Sequence, residues 1–428
     1  MTDLTPALLP AIEKHRLPGL DLDADFIYPK YDGDSILNIP SSICRWLNVP
    51  GLGAGALRPE ILQPPGEGIR KVLLILMDAL ALHRFQRWLD ENRNPVWNTL
   101  LQSGNLAPLT SISPSTTCAA TTSLWTGASA AEHGIAGYEL WLKEYGMVAN
   151  MILHTPMAFR RGVGELAKAG FNASEYLPMT TLGEHLSTHG VQPYAFLHHS
   201  IAHSGLSTMQ MRAVEVAPFS TPVDLWVTMR ELFEEKARQR LYTWAYWGVV
   251  DGFSHQYQPE DERVSAEFTQ FSEAFERHFL NQLSAAARQD TLVLLTADHG
   301  QIRTFDQGRY HLKNHPELDA MLHIRPTGEN RLIYLYAKPG QKEAIRQYFE
   351  AAWPDEFAVF TPEQALAAGL FGPGLEHPLL RDRLGDLIVI PRDNAYLWWA
   401  DKPNPLIGRH GGLHREEMLV PFLAARLG

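Results

Sequence analysis

Runs of consecutive apolar residues, each stopped by polar side chains or a glycine, recur along the chain. KVLLILMDAL (71–80) is apolar at nearly every position up to Asp78, the pattern of a strand buried on both faces in a parallel sheet. TLVLLTAD (291–298) repeats it and delivers Asp298 and His299 at its tip, and YTWAYWGVVDGFSH (242–255) ends on Asp251 and His255. TLGEHLSTHGVQPYAFLHH (181–199) reads as helix, glycine stop and strand. Residues 260–289 carry the spacing of one long amphipathic helix. Strands alternating with helices predict an α/β fold, a mostly parallel sheet flanked by helices.

The texture changes twice. Residues 1–70 are rich in Pro and Gly and read as an irregular wrapping segment. Between 305 and 400, RLIYLYAK, a helix near 341–352, EFAVFTP, GDLIVIPR and AYLWWA predict a small α+β cap insert. The main domain then comprises 71–304 and 401–428. GLGAGAL (51–57) has the glycines of a phosphate loop but neither the Lys-Ser/Thr nor a preceding strand, and reads as plain loop.

Charge and cysteine content narrow the function classes. The formal net charge is −11, with 48 acidic against 37 basic residues and no Lys/Arg block, which argues against general nucleic-acid binding. Two cysteines, Cys44 and Cys118, cannot build a disulfide framework and suit a reducing compartment. With no signal-peptide pattern at the start and no apolar run of membrane-spanning length, the expectation is a cytoplasmic protein without a membrane span.

In open α/β sheets ligands sit outside the carboxyl ends of the strands. Asp78, Asp251, His255, Asp298 and His299, together with His410 in GRHGG, fall at such ends and offer carboxylate and imidazole donors. These suit two divalent ions, Zn²⁺ first and Mn²⁺ or Fe as alternatives. SISPSTTCAATTSLWTG (111–127) adds hydroxyls at a predicted helix start, where backbone N–H groups favour an anion. Composition does not choose among Ser115, Thr116 and Thr117 there.

The ordered set LLILMDAL, STTCAATTSLWTGASAAEHGI, VDGFSH, TADHG and RHGG resembles the alkaline phosphatase superfamily, within it the type I phosphodiesterase/nucleotide pyrophosphatase family. The resemblance spans roughly 70–300 and the last twenty or so residues, and implies an alkaline phosphatase-like core. It implies Thr117, ten positions before Gly127, as nucleophile and metal ligand. It also implies one metal on Asp78, Thr117, Asp298 and His299, and a second on Asp251, His255 and His410. The activity implied is two-metal hydrolysis of a small-molecule phosphate ester, a phosphodiester or nucleotide pyrophosphate, through a phospho-threonine. One departure stands out. The family usually follows its nucleophile with Phe-Pro-Asn, whereas Cys118, Ala119 and Ala120 stand here.

Several residues admit a second reading. His414 competes with His410 as ligand. Cys118 reads as a small buried thiol, since the Pro and Arg of a sulfatase motif are missing. His133 suits a loop-stabilising role, while His198, His199 and His203 suit either substrate contact or a solvated loop. Tyr138 and DNAYLWWA (393–400) suit ordinary core more than stacking on a leaving group. A phosphomonoesterase would need an extra cation, for which Arg84, Arg160 and Arg161 are the candidates; none adjoins Thr117, which favours diesters. A metal-binding relative without catalysis is the rival from another class. Substrate-binding residues remain unassigned.

Overall fold

A computed structural model describes residues 2–63, 65–158 and 162–428. Its centre is an eight-stranded sheet built from β1 (Thr2–Asp3), β2 (Lys71–Met77), β3 (Gly104–Thr110), β4 (Gln192–His198), β5 (Glu215–Phe219), β6 (Leu241–Trp247), β7 (Thr291–Thr296) and β8 (Leu419–Leu427). The spatial order is β1-β3-β8-β7-β2-β6-β4-β5. All neighbours run parallel except β8, which is antiparallel to both β3 and β7. β2 and β7 are buried at every position, as their unbroken apolar sequences require.

Register places the functional ends level. Met77 pairs with Trp247 across β2 and β6, and Leu76 with Thr296 across β2 and β7. Asp78 and Asp298 therefore leave the same edge of the sheet side by side. Asp251 and His255 lie just beyond β6 on the helix Val249–Tyr257, four residues apart and so on one helical face.

A second, seven-stranded sheet is antiparallel throughout, in the order 357–360, 387–391, 332–337, 322–329, 139–142, 147–150 and 155–156. The cap predicted over 305–400 is thus drawn too narrowly, because three of its strands come from 139–156. The hairpin 322–337 needs a partner for its open edge, and Glu139 supplies it opposite Gly328. AYLWWA forms no strand. Ala395–Trp399 is an irregular buried stretch joined to the fold by a bridge between Trp398 and His311.

Two further expectations shift. The segment 1–70 is not wholly irregular: it holds helices Thr5–Glu13 and Ile39–Trp46, and β1 pairs with β3. The apolar positions Leu8, Ile12, Ile39 and Ile43 are buried and give these short stretches a helical face, which the surrounding prolines mask in sequence. The helix expected over 260–289 ends at His278; Leu280 and Leu283 turn inward, and Ser284 caps a separate short helix.

Strand 332–337 is apolar on both faces for a visible reason. Leu332, Tyr334 and Tyr336 pack into the main core, while Ile333, Leu335 and Ala337 pack into a second core with Ile345, Phe349 and Trp353. Alternate side chains thereby stitch the two cores together.

The helix Thr117–Thr126 ends at Gly127 (φ +65°), which packs directly on the loop at Leu52 and Gly53. A Cβ on Gly127 would sit 2.4 Å from the Leu52 carbonyl oxygen, and one on Gly53 would sit 2.2 Å from the Gly127 oxygen. GLGAGAL therefore serves as a backbone-thin platform under this helix. Gly127→Ala combines left-handed strain with overpacking and is expected to cost about 2–4 kcal/mol. A fall in the urea midpoint at unchanged m-value checks this.

Candidate metal centre and active site

The turn after β2 is sharp. Ala79 takes φ +63°, a conformation L-residues rarely hold, and its N–H points at Asp298 Oδ1 at 3.4 Å. Arg84, fully buried, holds this turn by donating to the Ala79 carbonyl at 3.1 Å and to Glu260 at 3.2 Å. It braces the site from behind and does not line the cavity beside Thr117. Arg160 and Arg161 lie outside the described residues.

The expected donors converge. Asp78, Asp298 and His299 each present an atom within 4.8 Å of the others, and Asp251, His299 and His410 do the same. His255 Nε2 lies 3.4 Å from Asp251 Oδ1, and His410 Nε2 lies 3.8 Å from the same oxygen. His299 stands between the groups. Its Nε2 is 3.4 Å from Asp78 and 3.5 Å from Asp298, and its ring stacks on His410 with centroids 3.8 Å apart. Thr117 Oγ1 is 3.2 Å from His299 Nε2. His299 thus faces both halves of the centre, not only the Asp78 half.

Hydrogen bonding fixes the imidazole tautomers. His255 Nδ1 meets the Gly408 carbonyl at 2.8 Å, His299 Nδ1 that of Gly300 at 2.9 Å, and His410 Nδ1 that of Ser115 at 3.1 Å. A carbonyl only accepts, so each Nδ1 carries the proton and each Nε2 turns a lone pair to the centre. Burial, with His299 and His255 nearby, also holds His410 well below the ordinary imidazole range.

The carboxylates make the converse case. Asp78 Oδ1 and Asp298 Oδ2 are buried without a hydrogen-bond partner. Burial, then the charges of Asp298 and Asp251, push the Asp78 carboxyl well above its usual range. Buried carboxylates packed against neutral imidazoles need positive charge, and this donor set fits divalent cations. Tyr246 donates to Asp78 Oδ2 and Gln301 to Asp251 Oδ1, orienting both carboxylates. Neither was foreseen. Gln301 follows ADHG directly and could have been suspected, whereas Tyr246 is hidden inside an apolar strand.

His414 does not join the centre: its Nδ1 accepts from Glu416 N at 3.3 Å and caps a short helix. His133 is buried, 3.2 Å from Ser123 Oγ and accepting from Ile135 N, so it ties down the loop after the helix. Cys118 is fully buried, which raises its thiol pKa. His198, half-buried at the end of β4, and the exposed His199 and His203 after it lie off the cavity wall.

A cavity of about 360 Å³ opens beside Thr117. Asp251, His255 and His410 form its floor, and Tyr138, Glu139, Glu329, Trp398, Trp399 and Lys402 contribute walls and rim. The expectation that Tyr138 and AYLWWA are ordinary core is therefore only half right, since they are largely buried yet face this space. Glu329 was not foreseen, because a carboxylate at a hairpin turn looks solvated in sequence. It accepts from Thr116 Oγ1 at 2.5 Å and Tyr138 N at 3.0 Å, and burial raises its pKa to about 8. Gly411 lets the His410 loop pass this close, as a Cβ there would sit 2.5 Å from that of Glu329.

The sequence signature of the type I phosphodiesterase / nucleotide pyrophosphatase family matches residues 72–413. The chain belongs to this family. Its fold matches murine ectonucleotide pyrophosphatase/phosphodiesterase 5, solved as an inactive Thr-to-Ala variant with AMP, at TM-score 0.61, 17% identity and coverage of 83% of this chain and 88% of that one. Phosphonoacetate hydrolase from Sinorhizobium meliloti 1021, with phosphonoformate, matches at TM-score 0.60, 18% identity and coverage of 84% and 90%. Human ectonucleotide pyrophosphatase/phosphodiesterase 5 matches at 0.59, 15% identity, 83% and 88%. No curated protein matches the sequence. Family membership makes the chain a hydrolase of phosphoric ester bonds.

Chelation is expected to lower the melting temperature and re-addition of Zn²⁺ to restore it, because ligand binding to the folded state stabilises it. In the chelated protein the raised Asp78 pKa means that the fold holds a proton the unfolded chain has released. Stability should therefore fall as pH rises above about 4. Asp78→Asn should flatten that slope, which urea titrations across pH will read.

Proposed function

We propose that the protein is a two-metal phosphodiesterase whose nucleophile is Thr117. The observation that carries this is the convergence of Thr117 Oγ1, uncapped helix N–H groups and six carboxylate or imidazole residues, Asp251, His255 and His410 on the cavity floor and buried Asp78, Asp298 and His299 next to them. Asp78, Thr117, Asp298 and His299 would hold one ion, and Asp251, His255 and His410 the other, with His299 close to both. The mixed imidazole–carboxylate set favours Zn²⁺. Such ions supply charge that lowers the hydroxyl pKa and offsets the charge developing on the departing oxygen.

The chain's own groups do the rest. Thr117 Oγ1, its proton released to solvent, forms a bond to phosphorus as the bond to the leaving alcohol breaks. The product is an alkylphosphoryl-threonine and an alkoxide that takes a proton from water. Water then cleaves the Thr117–phosphorus linkage and regenerates the hydroxyl. The inactive Thr-to-Ala form of the murine relative supports a threonine in this role.

The helix start supports an anion site without the family's asparagine. Thr116 takes extended backbone and makes no side-chain cap, its hydroxyl being committed to Glu329. The first-turn N–H groups, which have no intrahelical acceptor, remain free for phosphoryl oxygens. Among the described residues lining the cavity, Lys402 is the only Lys or Arg. A monoester dianion would want a closer cation, so the lining favours the singly charged diester.

Thr117→Ala should lower turnover of bis-4-nitrophenyl phosphate by about 10³-fold or more while the metal content persists. Acid-quenched wild type should carry a phosphoryl adduct on the peptide containing Thr117. A variant that keeps its turnover would sink this assignment.

A further inference from the structure

The helix that carries Thr117 lacks the usual means of fixing its own rotation. A helix with one apolar face turns that face to the core and is thereby set about its axis. In Thr117–Thr126 nine of the ten residues are buried, and the small side chains of Ala119, Ala120, Thr121, Thr122 and Ser123 follow one another around it. Burial fixes where this helix lies and leaves open which way it is turned. The angle matters, because a hydroxyl about 4 Å from a helix axis moves about 1 Å for roughly 15° of rotation.

Polar contacts set the angle instead. Ser123 meets His133, and Gly127 sits on the loop at Leu52 and Gly53, both toward the far end. One turn beyond Thr117 the contact is a fork: Gln210 Nε2 donates to Thr121 Oγ1 at 2.9 Å and to Thr122 Oγ1 at 2.8 Å. Those hydroxyls donate in turn to the carbonyls of Thr117 at 2.6 Å and Cys118 at 2.7 Å. Each hydroxyl has one hydrogen, committed to a carbonyl that only accepts, so the amide presents its nitrogen, and two hydrogens meet two oxygens. Gln210 is buried and itself held in place. It ends the helix Gly205–Gln210, which Ser204 caps by accepting from Ser207 N at 3.1 Å. At the other end of that helix Gly205 lies against His154, where a Cβ would sit 2.2 Å from the ring.

We propose that Gln210 is a positioning residue for the nucleophile, turning the Thr117 helix, through Thr121 and Thr122, so that Thr117 Oγ1 faces His299. The proposal rests on the reading of Thr117 as nucleophile and adds what aims its hydroxyl. Gln210 does not line the cavity, and it reaches the reacting atoms only through this helix.

Two variants separate aim from stability. Gln210→Met keeps the volume and removes the fork. The triple variant Gln210→Met/Thr121→Val/Thr122→Val also removes the two hydroxyls, leaving no polar group of the fork unpaired, so its melting temperature should return toward wild type. The readout is 4-nitrophenol release from bis-4-nitrophenyl phosphate in a single turnover of metal-loaded enzyme. Gln210→Met should lower the saturating rate about tenfold to hundredfold, the loss expected of about 1 Å of misplacement, and change the half-saturating concentration less than about twofold. The triple variant should regain melting temperature without regaining rate. A Gln210→Met rate within about twofold of wild type overturns the proposal, as does a triple variant whose rate returns with its stability. If Gln210→Met does not fold, the triple variant decides alone, about tenfold loss or more supporting the proposal and a wild-type rate overturning it. If wild type is inactive, or Thr117→Ala retains its turnover, the nucleophile reading fails, and crystal structures of wild type and Gln210→Met test the aim separately. Thr117 Oγ1 drawn away from His299 Nε2 by about 1 Å supports it, and an unchanged separation overturns it.

Discussion

Everything at the active edge follows from crowding like charges, two of them out of reach of water and a third on the cavity floor. Three carboxylates, Asp78, Asp251 and Asp298, are brought together at or just beyond the ends of adjacent strands by a register that leaves no slack. Oxygens of Asp78 and Asp298 lack protein partners, and their mutual repulsion is relieved only by protons or cations. The surrounding structure is arranged to keep that demand in place: a left-handed Ala79, a fully buried Arg84 behind the turn, and carbonyls that dictate which nitrogen each histidine exposes.

Much of this was legible in the sequence because parallel strands buried on both faces leave a blunt signature, and polar residues at their tips stand out against it. Asp78, Asp298 and His299 are of that kind. What was not legible depended on partners distant in the chain. Glu329 looks like a hairpin residue until the fold sets it beside Thr116. Tyr246 looks like core until its hydroxyl is seen to meet Asp78. The origin of the second sheet was hidden similarly, since ELWL at 139–142 carries too few residues to announce a strand and is recruited by an open edge nearly two hundred positions away. The helix over 262–278 was overextended because its apolar spacing persists past the point where the chain turns inward.

The loop bearing His410 illustrates how ligand geometry is secured from outside. Glu417, fully buried, accepts from Gly412 N at 2.9 Å and His414 N at 3.3 Å, and pairs with buried Arg331 at 2.8 Å. Arg331 also donates to the carbonyls of Asp393 and Ala395, just ahead of the tryptophans lining the cavity. Such a pair contributes little net stability after desolvation, but removing one partner strands the other, so it enforces a single arrangement. One arginine thereby sets the position of a candidate ligand and of the aromatic wall together.

The double-faced strand 332–337 bears on how substrate gets in. A sheet lying over an active site invites the image of a hinged lid. Here, swinging it aside would tear Tyr334 and Tyr336 out of the main core, with their hydroxyl bonds to the Ala136 and Arg383 carbonyls at 2.6 and 2.8 Å. The sheet over the cavity is thus part of the core and not a separate flap, and the rim beside it is formed by the mostly exposed stretch 401–407 with Lys402 and Pro405.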